Sequence, residues 1–395
     1  MLSFNFHLPT ALLFGRGRLA ELETTPLLPK GQTALIVIGS SGNILRQGYL
    51  GRVQGMLASR GVKSVVFDGV QSNPRTEDVD TAAAQVRSMA VDMVVGIGGG
   101  SVIDSAKAIA LAASAPGPFW ETWHAQGYEG KTALPIIAIP TTSGTGTEAN
   151  AVAMVCGAPG KRGFMHPSMF PTLSIVDPEL CATMSPTLTA YTGMDAFFHA
   201  VECFLSKAHQ PVSDMLCLEV ANLVTRFLPQ AVEEGGDLNA RTAMAWASTA
   251  AGMALALSSP LSLHALEYSF SGSGAGSAHG AGLTVLSRAY FGRLIQLAAN
   301  DEETGERLIN LAVAMGFGAD EGEGQHPFLL ALDALITSAG LGELSPRDLG
   351  FGDERMDEYV AMAMELKDFR HFHNTPVPMG EADVRAIFEE AFERR

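Results

Sequence analysis

Residues 92–113, DMVVGIGGGSVIDSAKAIALAA, decide the fold. The first seven, DMVVGIG, form a short apolar run ending in glycine, the composition of a strand buried on both faces of a parallel sheet. Gly98, Gly99, Gly100 and Ser101 follow, and residues 102–113 carry the composition of a helix. Glycines at such a turn let the backbone approach a phosphate, and the helix start offers free N–H groups at the positive end of its dipole. The run is not a complete GxGxxG, because Ser101 stands at its last position, and glycine-rich turns between strands and helices are common.

The same alternation extends on both sides. TALIVIG at 33–39 and KSVVFD at 63–68 read as further buried strands, and 43–60 and 77–89 as the helices that follow them. The first 30 residues begin with a short strand, FNFHLPTALLFG at 4–15. Residues 134–140 form another strand, which runs into PTTSGTGTE at 140–148. Strand and helix in strict alternation predict an open, mostly parallel, Rossmann-like α/β sheet with ligands beyond the carboxyl ends of the strands. Two Gly/Ser/Thr-rich loops leaving one sheet point to a dinucleotide. An NAD site usually places an acid at the end of the first strand for the ribose 2′-hydroxyl. Here that strand ends Gly39-Ser40-Ser41, and no Asp or Glu occurs from residue 31 to 67. A 2′-phosphate then has room, with the serines and Arg46 to hold it, so NADP(H) is favoured over NAD(H).

Beyond DPELCATMSP at 177–186 the character changes. Residues 214–232, 240–258, 280–297, 302–315, 327–339 and 355–367 all read as helices, so an all-α domain over 183–395 follows the α/β domain over 1–182. GMDAFFHAVE at 193–202 places Asp195 and His199 on one helical face among apolar neighbours. A carboxylate and an imidazole in such surroundings are costly unless something binds them, although an Asp–His hydrogen bond alone would account for the pair. His264 and His279, each followed by a small residue, bring the set to one oxygen and three nitrogen donors, a shell suited to Fe(II) or Zn(II) with positions left open for substrate. The other histidines, His371 and His373 among them, show no comparable context.

Composition limits the partners. The 395 residues carry a net charge of −16, which disfavours nucleic acid, and 47% apolar with 17% charged residues fits a well-packed enzyme. No apolar run reaches membrane-spanning length, and the N-terminus lacks the basic and apolar regions of a signal peptide. Cys156, Cys181, Cys203 and Cys217 show no CxxC spacing and read as free thiols of a reducing cytoplasm.

GGGSVIDSAKAIA at 98–110, PTTSGTGTE at 140–148, GMDAFFHAVE at 193–202 and HALEYSF…HGAGL at 264–283 together resemble the iron-containing (group III) alcohol dehydrogenase family, over nearly the whole chain. Within it the Gly-Ser end of the first strand and the HGAGL context look most like NADPH-dependent butanol dehydrogenases and aldehyde reductases. The resemblance implies a nucleotide domain, a helical domain and a cleft between them. It also implies metal ligation by Asp195, His199, His264 and His279, and pyrophosphate binding by Gly98, Gly99, Gly100 and Ser101. Thr141, Thr142 and Thr145 would line the adenine and ribose side with Asn73 nearby, and a small alcohol or aldehyde would be the substrate of a homodimer or larger homo-oligomer. Asp104 matches the family too, and reads as a helix N-terminal charge with local hydrogen bonds.

Two departures stand out. Many members carry a second histidine four residues after the third ligand, and Tyr268 stands there; a phenol with an ordinary pKa near 10 is the candidate proton donor in its place. SGSGAGSA at 271–278 also replaces the aromatic or proline residues of many members. Asn150, Phe198, Met253 and Tyr268 are expected around an apolar substrate cavity. Glycerol-dehydrogenase-like and dehydroquinate-synthase-like enzymes share the two-domain plan. The latter need clustered cations for an anionic substrate, whereas residues 185–285 hold only Lys207, Arg226 and Arg241. A non-catalytic nucleotide-binding protein is the third reading, and the complete ligand set argues against it.

Overall fold

The computed structural model describes residues 3–157, 160–272, 278–318, 324–367 and 370–393. Most of the Ser/Gly-rich segment after Tyr268, and most of the acidic loop at 318–325 that reads in sequence as a solvated surface loop, lie outside them.

Residues Leu8–Ala182 form one compact unit, and Thr183–Arg395 with the chain's first residues through His7 form another. The first is built on six parallel strands: β1 (Ala11–Phe14), β2 (Thr33–Gly39), β3 (Lys63–Val70), β4 (Met93–Gly98), β5 (Ile136–Pro140) and, after a separate hairpin of β6 (Val152–Gly157) and β7 (Gly160–Met165), β8 (Leu173–Val176). Their order is β1-β8-β5-β4-β2-β3, every pairing parallel. Alternation along β2 explains why its sequence is apolar throughout. Ala34, Ile36 and Ile38 pack into the core on one face, while Leu35 and Val37 enter the core on the other.

The helices of this unit are α1 (Asn43–Arg46), α2 (Tyr49–Ser59), α3 (Thr76–Ser88), α4 (Gly100–Ala112) and α5 (Phe119–Gln126). The single helix expected over 43–60 is broken in two. Gly48 takes a left-handed conformation, φ 71°, at the start of α2, which ends the first segment and re-aims the chain. The hairpin and β8 are absent from the sequence reading. Val152–Gly157 and Leu173–Val176 are each too short and too weakly alternating to separate from loop.

The second unit is helical: α6 (Pro186–Leu205), α7 (Pro211–Glu233), α8 (Leu238–Leu257), α9 (Ser262–Gly272), α10 (His279–Leu297), α11 (Glu302–Ala314), α12 (Pro327–Ser338), α13 (Met356–Glu365), α14 (Arg370–Asn374) and α15 (Glu381–Glu393). Its core joins the apolar faces of α6, α7, α8, α9 and α10 with Phe328, Phe351, Tyr359 and Phe388. Start signals are local. Ser185 caps α6 with Pro186 as first residue, and Gln210 and Ser213 form a reciprocal capping box at α7. Among the described residues, no single helix is long and apolar enough to cross a membrane.

Candidate functional site

The chain runs from β2 outward to β3 and then returns to the other side of β2 as β4, so the order in which strands are added reverses between β2 and β4. In open α/β sheets this is where ligands bind. The loops singled out in sequence meet there. Gly39, Ser40 and Ser41 leave β2, Asn73 follows β3, Gly99, Gly100 and Ser101 leave β4, and Thr141, Thr142 and Thr145 leave β5. The Asn73 amide lies 3.4 Å from the Ser101 hydroxyl, and the Thr141 amide donates to the Gly98 carbonyl at 2.9 Å. A Cβ at Gly100 would meet Thr145 Cγ2 at 2.6 Å and Oγ1 at 2.8 Å, so the backbone of one loop lies against the Thr145 side chain of the other. Ser40, Ser41 and Asn73 are exposed, as a phosphate- or ribose-binding rim requires. The Arg46 guanidinium turns back and donates to the Ser41 carbonyl at 3.0 Å.

Behind this rim lies a buried polar cluster. Lys107, fully buried on α4, donates to Thr147 Oγ1 at 2.6 Å, Asn150 Oδ1 at 3.2 Å and the Val152 carbonyl at 2.8 Å. Asp104 accepts from Thr147 Oγ1 at 2.5 Å and the Met154 amide at 2.9 Å. The hydrogen bonds expected of Asp104 as a helix N-terminal charge are therefore not local ones; they tie α4 to Thr147 and to β6. Asn150, expected near the substrate cavity, is buried and equally committed, because its amide also donates to the Gly146 carbonyl. Phe198, also expected near the substrate, is fully buried against Phe197 and Phe291. Burial lowers the Lys107 ammonium to about 8, an effect that Asp104 and Glu148 oppose.

In the helical unit, α6 brings Asp195 and His199 to the interior, and α9 brings His264 beside them. One donor atom from each of the three lies within 4.8 Å of the others, and all three residues are buried. The His199 and His264 rings stack at 4.7 Å. His279, at the start of α10, places Nε2 3.7 Å from Asp195 Oδ1, and its ring is 5.2 Å from that of His264. It is 23% exposed and stands outside the tight triple, at its open side. Gly280 makes this approach possible, because a Cβ there would run into the Tyr191 carbonyl on α6.

Two carboxylates missing from the sequence reading orient these histidines. Glu202 on α6 accepts from His264 Nδ1 at 2.6 Å and from the Leu261 amide at 2.7 Å. Glu267 on α9 contacts His279 Nδ1. Thus α6 carries the acid that holds His264 on α9, and α9 carries the acid that holds His279 on α10. The signal was present as an acid three residues after His199 and three after His264, but helical spacing pairs an acid with its own helix, and these acids reach across. Burial pushes the Glu202 carboxyl well above its usual range, against the Leu261 amide and the imidazoles. Burial also lowers His199 to about 4, Asp195 opposing, so this imidazole is neutral and able to ligate at neutral pH. Its Nδ1 is buried with no hydrogen-bond partner among the described residues. A carboxylate and three imidazoles, two of them oriented by acids, fit a divalent metal.

Tyr268, one turn beyond His264, stacks on His279 at 5.7 Å. Burial beside Glu267 and Glu202 raises its phenol, so it stays protonated.

A dinucleotide-type sheet carrying glycine loops at its reversal point and a helical unit presenting an Asp/His donor cluster define a metal-dependent dehydrogenase. Residues 9–178 match the iron-containing alcohol dehydrogenase model, and residues 189–392 match that of the Fe-containing alcohol dehydrogenase C-terminal region. Alcohol dehydrogenase 4 of Schizosaccharomyces pombe is 32% identical over 98% of this chain and 88% of its own length. NADPH-dependent butanol dehydrogenase of Clostridium saccharobutylicum is 33% identical over 63% of each chain. The crystal structure of the archaeal Red Sea brine pool alcohol dehydrogenase ADH/D1 superposes with a TM-score of 0.88 at 30% identity, covering 99% of both chains. This chain belongs to the iron-containing alcohol dehydrogenase family, and it is an oxidoreductase acting on CH–OH groups.

Proposed function

We propose that this protein interconverts a small neutral alcohol and its aldehyde, with NADP(H) favoured over NAD(H) and a divalent iron or zinc ion held by Asp195, His199, His264 and His279. The observation that carries the reading is the buried triple of Asp195, His199 and His264, with His279 at its open side. When bound, the metal supplies Lewis acidity at a carbonyl oxygen and the nicotinamide supplies or accepts the hydride.

The chain's own residues have separate tasks. Glu202 and Glu267 fix His264 and His279 in the tautomer that leaves Nε2 for the metal. Gly98, Gly99, Gly100 and Ser101 receive the pyrophosphate at the start of α4, and Thr141, Thr142 and Thr145 with Asn73 flank the adenine and ribose. Gly39, Ser40 and Ser41 leave the ribose 2′ position without a carboxylate, and Arg46 lies beside them. Tyr268, stacked on His279, is assigned as proton donor, although burial makes its phenol a weaker acid than a free tyrosine. Arg241 is spent on the Thr189 hydroxyl and the Gly235 and Met184 carbonyls, which supports a neutral substrate. Four free cysteines support a reducing, cytoplasmic setting, and the assembly is assigned as a homodimer or larger homo-oligomer.

The test is metal content after anaerobic purification without chelator, followed by an aldehyde screen with NADPH and NADH. About one iron or zinc per chain, lost in His264→Ala and His279→Ala together with activity while the fold persists, is the expected result. Full activity in either variant without metal overturns the ligand assignment.

A further inference from the structure

Gly100, Asp104 and Lys107 follow one another on α4 at intervals of four and three residues, so they share one face of the helix. That face lies against the segment that leaves β5. A Cβ at Gly100 would meet the Thr145 side chain. One turn further along, Asp104 accepts from Thr147 Oγ1. Beyond it, Lys107 donates to Thr147 Oγ1, Asn150 Oδ1 and the Val152 carbonyl. From these residues the bonds run back into the loop. The Thr147 amide lies 3.4 Å from Thr145 Oγ1, and the Asn150 side-chain amide donates at 3.2 Å to the carbonyl of Gly146, which ends the loop with a left-handed φ of 58°. The exit of the loop that carries Thr141, Thr142 and Thr145 is thus fixed from α4.

An ammonium shut off from solvent is a costly way to fill this space, and an apolar side chain of the same reach would pack there without the desolvation. What the ammonium adds is number. It has three N–H donors and no acceptor, and it meets three acceptors. Each acceptor belongs to a different residue of 147–152, so one group pins three points of the chain. A neutral amine has two donors and a lone pair, and would leave one of those acceptors unfilled. Asp104 faces Lys107 from its own helix and Glu148 from the segment after the loop, while Lys161 on β7 acts on Asp104 in turn. Burial, opposed by the two acids, brings Lys107 to about 8, so the third donor can be withdrawn while the chain is folded.

We propose that Lys107 is a positioning residue for the cofactor, whose three hydrogen bonds hold the loop of Thr141, Thr142 and Thr145 in its dinucleotide-binding form before the dinucleotide arrives. The inference rests on the reading of these loops as the dinucleotide site. Ordering the loop beforehand removes that cost from binding, so the benefit appears in cofactor affinity and not in the chemical step. The ammonium is spent on the protein's own acceptors, so it treats NADPH and NADH alike, in contrast to Arg46 at the end of β2. Loss of the Lys107 proton loosens the same clamp, and cofactor affinity therefore falls as pH rises.

The test measures dissociation constants of NADPH and NADH by fluorescence titration on the full chain, in wild type and Lys107→Met. The variant is expected to weaken both cofactors by the same factor, about tenfold, the worth of a hydrogen bond to a charged group. In turnover with an aldehyde from the screen above, the loss falls on KM for NADPH far more than on kcat. Wild-type affinity also declines from about pH 7 to about pH 9.5, across the Lys107 value, and the variant's affinity does not follow it. Unchanged affinity in Lys107→Met, a loss for NADPH alone, or a wild-type pH profile no steeper than the variant's overturns the proposal. Hydrogen exchange of residues 140–150 without cofactor reads the loop independently of binding, and wild type alone supplies it if the variant does not fold. After correction for intrinsic exchange rates, protection of this segment is expected to fall between the same two pH values, and constant protection overturns the proposal. If wild type binds neither cofactor, the dinucleotide reading of the loops is what fails, and the exchange result still decides whether Lys107 holds them.

Discussion

Glu202 on α6 and His264 on α9 are joined through Oε1 and Nδ1 at 2.6 Å, with both side chains excluded from solvent. The contact decides which nitrogen of His264 faces the other donors. Glu202 also accepts the Leu261 amide at the foot of α9, so one carboxylate sets both the ring and the helix that carries it. Glu202→Gln keeps the size and loses the charge. It is expected to weaken metal affinity by about 10–100-fold, read by competition with a chromogenic chelator. Unchanged affinity would mean that the tautomer is set elsewhere.

Gly280 and Gly100 test the two sites separately. At Gly280 a Cβ collides with the Tyr191 carbonyl, which is backbone and has no rotamer to yield. Gly280→Ala should push α10 and His279 away from Asp195, lower metal content and destabilise the helical unit by about 1–3 kcal/mol. At Gly100 the obstacle is the Thr145 side chain, which can turn. Gly100→Ala should leave metal content unchanged and reduce dinucleotide affinity, measured by NADPH fluorescence titration. Loss of metal in the second variant, or of NADPH binding alone in the first, would reverse the assignment of loops to ligands.

The two variants also mark how far the sequence could be read. The βα units were legible because a strand buried on both faces is apolar at every position, as in β2 and β4, and glycine can be read wherever the backbone comes close. Asp195, His199 and His264 stood out as polar groups in apolar helices, and the structure brings one donor atom of each within 4.8 Å of the others. Glu202 and Glu267 did not, because an acid that reaches to the next helix has no fixed spacing from its partner. The approach of His371 to Tyr268 was invisible for the same reason: α14 is tied to the ends of α6 and α9 by Thr375 and Asn374, and no local pattern announces such a contact. The partners of Asp104 and Asn150 were not legible, because bonds to Thr147, Met154 and Lys107 are tertiary contacts.

Lys107 gives a pH dependence with a definite sign. Its folded pKa lies near 8 and its unfolded value near 10.4. Below about 8 both states are protonated and the folded state carries the cost of a buried charge. Between about 8 and 10.4 the unfolded chain still binds the proton that the folded chain has released, so this group makes stability rise with pH there. Lys107→Met removes that rise, and at pH 7 it leaves acceptors on Thr147, Asn150 and Val152 without their donor, a loss of about 1–3 kcal/mol. Urea midpoints of wild type and variant at several pH values read both effects. Parallel curves for the two proteins would show that Lys107 does not titrate in this range.

The proposed preference for NADP(H) rests on the end of β2. A Cβ at Gly39 would meet Val102 Cγ2 at 3.6 Å and the Val70 carbonyl at 3.7 Å, ordinary packing distances, so the position accepts a side chain. Gly39→Asp would place a carboxylate where a ribose 2′-hydroxyl is met in NAD sites and would repel a 2′-phosphate. Arg46 lies against the same loop through the Ser41 carbonyl, and its removal takes away a charge that a 2′-phosphate would use and a 2′-hydroxyl would not. Arg46→Ala is therefore expected to weaken NADPH by about tenfold, or roughly 1.4 kcal/mol, with NADH little affected, and Gly39→Asp to turn the preference towards NADH. Dissociation constants for both cofactors in wild type and the two variants decide it. Equal losses for NADPH and NADH in Arg46→Ala would mean that the guanidinium only shapes the loop, and the 2′ selectivity would then have to come from the serines.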